Sequence, residues 1–166
     1  GIINVKDRYY AGQAAPKMFF GTALNFQYKK WYAGFSARAE LGATIYNNIH
    51  SNSAVFQTID GTKKYLNNIS SLYYQDEVQR VTASQLMSDH YLEKANFLRM
   101  DFVNLGYHFG KLKFTNNKLG LNASFTVQNV FVVTQYKGQD PEVNGGIDNN
   151  FYPRPRMYSL NLTFDF

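Results

Sequence analysis

The sequence predicts an all-β chain whose antiparallel strands line a transmembrane β-barrel. Three observations predict it. Residues 158–166 alternate apolar and polar without a break and stop on Phe166. Four further segments share the same two-residue period. The connections between them alternate short and long. Successive strand side chains point to opposite faces, so Tyr158, Leu160, Leu162, Phe164 and Phe166 share an apolar face and Ser159, Asn161, Thr163 and Asp165 a polar one. A soluble sheet shows the same alternation, but an apolar terminal strand left at its edge invites aggregation. A barrel wall needs that strand: lipid outside, water inside, aromatics at the interfaces.

The first segment, 18–28, sets Phe20, Leu24, Phe26 and Tyr28 against Gly21, Asn25 and Gln27. The second, 31–46, sets Trp31, Ala33, Phe35, Ala37, Ala39, Leu41, Ala43 and Ile45 against Ser36, Arg38, Glu40 and Thr44. The third, 97–109, keeps Val103, Leu105, Tyr107 and Phe109 in phase, while Leu98, Met100 and Phe102 fall on the other parity. A bulge or an apolar patch on the lumen face accounts for the slip. The fourth, 119–130, sets Leu119, Leu121, Ala123, Phe125 and Val127 against Asn122, Ser124, Thr126 and Gln128. The tail, 157–166, is the fifth. None shows the 3.6-residue period of an amphipathic helix.

Lys29-Lys30 joins the first two segments, and a short turn around 111–117 joins the third and fourth. Long polar stretches, 47–96 and 134–152, separate the others. Outer-membrane barrels sort loops this way, short turns on the periplasmic side and long loops outside. With the carboxy terminus periplasmic, 1–17, 47–96 and 134–152 become extracellular. Within 47–96, Ser88 to Lys94 reads as a short helix with Ser88 as N-cap.

Composition is compatible. Aromatic residues reach 17%, yet mean hydropathy is −0.38, as expected where every second residue faces water. No window approaches the ~18 apolar residues of a spanning helix. With Cys 0, disulfides and thiolate metal sites are excluded. The net charge of +5 comes from scattered residues, which argues against nucleic acid as a partner. Residues 1–5 have no signal-peptide architecture, so the chain reads as part of a longer exported polypeptide.

Three stretches carry a family resemblance. They are Gly145-Gly146-Ile147-Asp148-Asn149-Asn150-Phe151-Tyr152-Pro153-Arg154-Pro155-Arg156, running into the last strand, Tyr91-Leu92-Glu93-Lys94-Ala95-Asn96-Phe97-Leu98-Arg99-Met100-Asp101, leading to Leu105-Gly106-Tyr107, and Val127-Gln128-Asn129-Val130-Phe131, followed by Tyr136 to Glu142. In this order they resemble the carboxy-terminal barrel region of SusC-like TonB-dependent outer-membrane transporters, as does Ala15-Pro16-Lys17 before Gly21. The resemblance implies about five strands of a barrel of about 22 with an amino-terminal plug. It also implies import of oligosaccharides, or sometimes peptides, across the outer membrane of a Gram-negative bacterium. TonB would act through a missing amino-terminal part, and a SusD-like lipoprotein would lid the mouth. The opening 1–7 resembles the end of an acidic calcium loop. With only Asp7 of its oxygen ligands present, no cofactor is expected, and calcium only where an acidic loop lies upstream.

Catalysis finds no support, and the chain is not expected to be an enzyme. His50, His90 and His108 lack metal-ligand spacing and read as loop or interface residues, so no metal site is expected. Asp76-Glu77 and Asp140/Glu142 read as solvated loop charge. In Pro153-Arg154-Pro155-Arg156, the structural role of shaping the approach to the last strand outweighs a ligand role for Arg154 and Arg156. Tyr65, Tyr73 and Tyr74 are candidate ligand or lid contacts, stacking on sugars or packing the loop. Leu162, Phe164 and Phe166 resemble the terminal signal for barrel assembly. The rival readings are a soluble carbohydrate-binding β-sandwich and a passive or adhesive surface barrel.

Overall fold

The computed structural model describes residues 5–60, 68–80, 88–113, 118–149 and 152–166. In chain order the elements are β1 (Met18–Tyr28), β2 (Trp31–Leu41), β3 (Thr44–Tyr46), α1 (Asn48–Ser53), α2 (Gln57–Asp60), α3 (Tyr73–Asp76), a 3₁₀ turn (Asp89–Tyr91), β4 (Leu92–Lys94), β5 (Phe97–Lys111), β6 (Gly120–Thr134) and β7 (Met157–Asp165), with a 3₁₀ turn Val5–Asp7 ahead of them. No described helix is long and apolar enough to cross a membrane. The residues divide into two compact units.

The sheet unit comprises Phe19–Glu40, Phe97–Val133 and Arg154–Phe166. Its five strands run in the order β1-β2-β5-β6-β7. The β2–β5 and β6–β7 pairs are antiparallel. The register puts like with like. Ala123 faces Leu162, Phe125 faces Leu160 and Val127 faces Tyr158, while Asn122 faces Thr163 and Ser124 faces Asn161. Along β2, Phe35 faces Val103 and Ala33 faces Leu105, while Gly34 faces Asn104. One face is therefore apolar and the other polar. Phe26 stacks on Phe35 at 6.5 Å and Phe125 on Tyr158 at 6.3 Å. Among the described residues no second layer covers the apolar face: Phe26, Leu105, Phe125, Leu160 and Leu162 are all exposed.

The parity slip in the third segment is a bulge. Ser36 faces Phe102 but the next pair is Ala37 with Met100, which leaves Asp101 as the extra residue on β5. Leu98 and Met100 thereby return to the apolar face, and Phe102 stays on the polar one. At the β1–β2 turn, Lys29 takes φ 55°, the left-handed conformation a two-residue hairpin turn requires.

The loop unit comprises Gly1–Met18, Leu41–Asn96 and Thr134–Pro153. The second expected strand does not run through 31–46. It breaks at Gly42, whose φ of 89° ends the ladder and whose amide donates to Asn96 Oδ1 at 2.7 Å. β3 then pairs with β4 in a two-stranded antiparallel sheet, Ile45 opposite Glu93. Ala43, Ile45, Ala95 and Tyr136 form its core. Tyr46 also bridges Ile147 in parallel. The expected helix from Ser88 is cut to the 3₁₀ turn, because Leu92–Lys94 is taken up in β4, and the Ser88 side chain caps nothing.

Candidate functional site

On the polar face of the sheet, Arg38 Nε donates to both carboxylate oxygens of Asp101 at 3.1 Å. The bulge is what aims Asp101 at that strand. Farther along, His108 Nδ1 meets Asn122 Oδ1 at 2.5 Å, and Asn122 Nδ2 donates to Asp165 Oδ2 at 3.0 Å. Asp101, Phe102, Thr126, Gln128 and Asn129 line an open concavity of about 550 Å³. This face presents hydrogen-bonding groups and a bound charge pair, suited to water or a polar solute.

Local chemistry builds the loop unit's cluster. Asn47, fully buried, caps α1 by accepting from the His50 amide at 2.9 Å, and its Nδ2 donates to Glu93 Oε1 at 2.9 Å. The Lys137 amide donates to Glu93 Oε2 at 2.9 Å. That clamp places Glu93 Oε1 3.8 Å from Nδ1 of the buried His50. The other ring nitrogen, Nε2, lies 2.6 Å from Asp76 Oδ2, and His90 Nε2 lies 3.1 Å from the same oxygen. The carboxylates of Glu93 and Asp76 favour the imidazolium, outweigh burial and hold the His50 pKa above its ordinary value. Burial alone would raise the Glu93 carboxyl; His50, the Lys137 amide and Asn47 outweigh it and hold it below the usual range. His50, Gln75, Asp76, His90, Glu93 and Lys137 border an open cavity of about 310 Å³.

A second buried pair lies nearby in chain order. Tyr136 donates its hydroxyl to Asp148 Oδ2 at 2.9 Å, with Asp148 fully buried. Burial first, then the Asp148 carboxylate, push the Tyr136 phenol well above its ordinary value.

The residues singled out from sequence fall in different places. Tyr65 lies outside the described residues. Tyr73 is half-buried, with Phe56 and Tyr74 beside its ring, and accepts from Gln79 Nε2 at 2.8 Å, whereas Tyr74 points outward. Arg156 Nε donates to the Asn129 carbonyl at 3.4 Å, and Asn129 Nδ2 returns a bond to the Pro155 carbonyl at 2.9 Å, so the approach to β7 is pinned to β6. Arg154 is exposed and not without a partner. Leu162 and Phe164 sit on the apolar face, and Phe166 is fully exposed beyond the end of β7. Two assignments of solvated charge need correction. Asp76 is drawn in between two histidines, and Asp140 is buried, accepting from the Glu142 amide at 2.9 Å. Sequence reasoning missed the meeting of His50 with His90, because no spacing rule spans residues brought together by separate turns.

No protein-family model matches the chain. It is 36% identical over its whole length to the TonB-dependent receptor SusC of Bacteroides thetaiotaomicron, and 28% identical over 96% of its length to the TonB-dependent receptor P39 of Formosa agariphila. It spans 17% of the length of each of these relatives. Solved structures share the fold, among them two of RagAB. The RagAB peptide transporter superposes with a TM-score of 0.67 at 24% identity, covering 91% of this chain and 17% of that one. The RagAB peptide importer in its closed-closed state superposes with a TM-score of 0.68 at 22% identity, covering 99% and 20%.

Proposed function

This chain is homologous from end to end to a SusC TonB-dependent receptor, and from that premise we propose that it forms part of the barrel wall of an outer-membrane active transporter. The observation that carries the reading is that whole-length relationship. The sheet supports it physically. Five strands with one uncovered apolar face and one polar face bury too little to stand alone, but suit a wall between lipid and an aqueous lumen. The end strands β1 and β7 would pair with neighbouring strands of the same barrel. A soluble β-sandwich would need a second sheet over that apolar face, and the described residues supply none.

In this reading the receptor imports oligosaccharides or peptides too large for diffusion pores. TonB supplies the energy through a plug outside this chain, and a SusD-like lipoprotein closes the mouth. The carboxy terminus faces the periplasm, so the loop unit is extracellular. Tyr74, Arg154 and Arg156 are ligand or lid contacts to test, and β7 with Phe166 serves as the assembly signal.

The test is uptake. Cells carrying the receptor should accumulate labelled oligosaccharide or peptide, cells lacking it should not, and a protonophore should abolish the difference. Receptor-dependent uptake that survives the protonophore would replace active import by a passive barrel. A native species of 19.1 kDa, soluble without detergent, would overturn the wall assignment itself.

A further inference from the structure

We propose that His50, Asp76 and His90 form a binding site for a divalent transition-metal ion, with Zn²⁺ the best match, in the loop unit. Three elements deliver one ligand atom each: Nε2 of His50 from α1, Oδ2 of Asp76 from the end of α3, and Nε2 of His90 from the 3₁₀ turn. These atoms all lie within 4.8 Å of one another. A tetrahedral ion with bonds of ~2.0–2.1 Å has ligand atoms about 3.3 Å apart. Asp76 Oδ2 stands 2.6 Å from one imidazole nitrogen and 3.1 Å from the other, so the ion's entry requires the carboxylate to swing outward and the two rings to close on it within the 4.8 Å the cluster spans.

The surroundings of His50 match those of a metal-ligating histidine. Its side chain is 8% exposed, and neither ring nitrogen makes a hydrogen bond of acceptable geometry: Nε2 is close to Asp76 but not aligned with it. An ion entering the cluster displaces the Nε2 proton and takes up that nitrogen's lone pair between His50, Asp76 and His90. The far side of the ring is equipped as metal-bound histidines are. Nδ1 faces the Glu93 carboxylate, itself fixed by Asn47 and the Lys137 amide, an arrangement that orients the imidazole and raises its basicity as a ligand. His90 is half exposed and borders the open cavity, leaving a fourth position for water or an incoming group. The two lysines at the cavity are engaged elsewhere: Lys137 Nζ donates to Gln75 Oε1 at 2.5 Å and Lys94 Nζ to Thr44 Oγ1 at 3.3 Å.

Donor chemistry selects the ion. Two imidazoles and one carboxylate suit Zn²⁺ and its first-row neighbours, whereas Ca²⁺ and Mg²⁺ require a shell of oxygens. Bound there, the ion would tie α1, α3 and the 3₁₀ turn together within the loop unit. The assignment is independent of what the receptor imports.

The test uses the detergent-purified receptor that carries this chain, stripped with chelator and titrated with zinc chloride. Bound zinc is read by elemental analysis after desalting, and affinity by competition with a chromophoric chelator. We expect one zinc equivalent per chain that is absent from His90→Gln and from Asp76→Asn but retained in His108→Gln, whose histidine lies on the sheet. Glu93→Gln should weaken binding by about 10–100-fold without abolishing it. A Co²⁺-loaded receptor should show visible bands that disappear in His90→Gln. Equal zinc content and affinity in the parent and in both His90→Gln and Asp76→Asn would overturn the proposal, as would no zinc bound by the correctly folded parent.

Discussion

Replacing Leu162 by Asp tests which face of the sheet meets lipid. β7 spans Met157–Asp165, nine residues. At ~3.4 Å per residue and a tilt of ~40°, that length covers about 23 Å of membrane, close to the ~25 Å apolar band of an outer-membrane barrel. Leu162 is one residue from the strand's centre, so its side chain sits within about 3 Å of mid-band. It pairs with Ala123 on the apolar face and is 53% exposed, leaving a carboxylate there no counter-charge or donor from the partner strand. Charge at the midplane costs ~2–4 kcal/mol for a base and less for an acid, so about 2 kcal/mol is expected, a factor of ~30 in the assembled fraction. Asn161→Asp is the matched control. Its neighbour across the strand is Ser124 on the polar face, and its effect should stay within ~0.5 kcal/mol. The assay is the amount of folded, heat-modifiable receptor in outer membranes, with the urea midpoint of the receptor in liposomes as the equilibrium readout. Equal losses at the two positions, or a larger loss at Asn161, would refute the assigned facing.

Other outcomes follow from the loop unit. Tyr136→Phe removes the 2.9 Å donor to the fully buried Asp148 and should cost about 1–3 kcal/mol, read as faster amide exchange in the loop unit while the sheet strands keep their protection. The same phenol predicts an alkaline limit. Its folded pKa is raised above the ordinary 10.0, so its contribution is full below that value and is lost as pH climbs through the folded pKa. Loop protection should therefore fall at high pH in the parent and vary less with pH in Tyr136→Phe. Gly42→Ala should destabilise the β2–β3 break by more than ~1 kcal/mol, because φ is 89° and a Cβ would lie 2.8 Å from Lys17 Cγ; an unchanged urea midpoint would contradict this.

What sequence determined here is what depends on near neighbours along the chain. Strand periodicity is local: each residue's face follows from the parity of its position, so Leu160, Leu162 and Phe164 could be set on one face without knowing their partners. Even the bulge announced itself as a parity slip around Leu98–Phe102. Only the register with β2 decided that Asp101 is the extra residue and that its carboxylate meets Arg38. The break at Gly42 escaped notice because alternation continued through Ala43 and Ile45; a positive φ leaves no mark on an apolar pattern. Asp140 and Asp148 look like ordinary loop charges, and only the folded loop buries them and bonds their carboxylates to the Glu142 amide and the Tyr136 hydroxyl. The cluster of His50, Asp76 and His90 lay wholly beyond sequence. Its members are far apart along the chain, and a capped helix, a single α-turn and a 3₁₀ turn bring their ligand atoms together. Covalent neighbours set which way a strand residue points, but only chain closure through tertiary contacts sets which distant side chains meet.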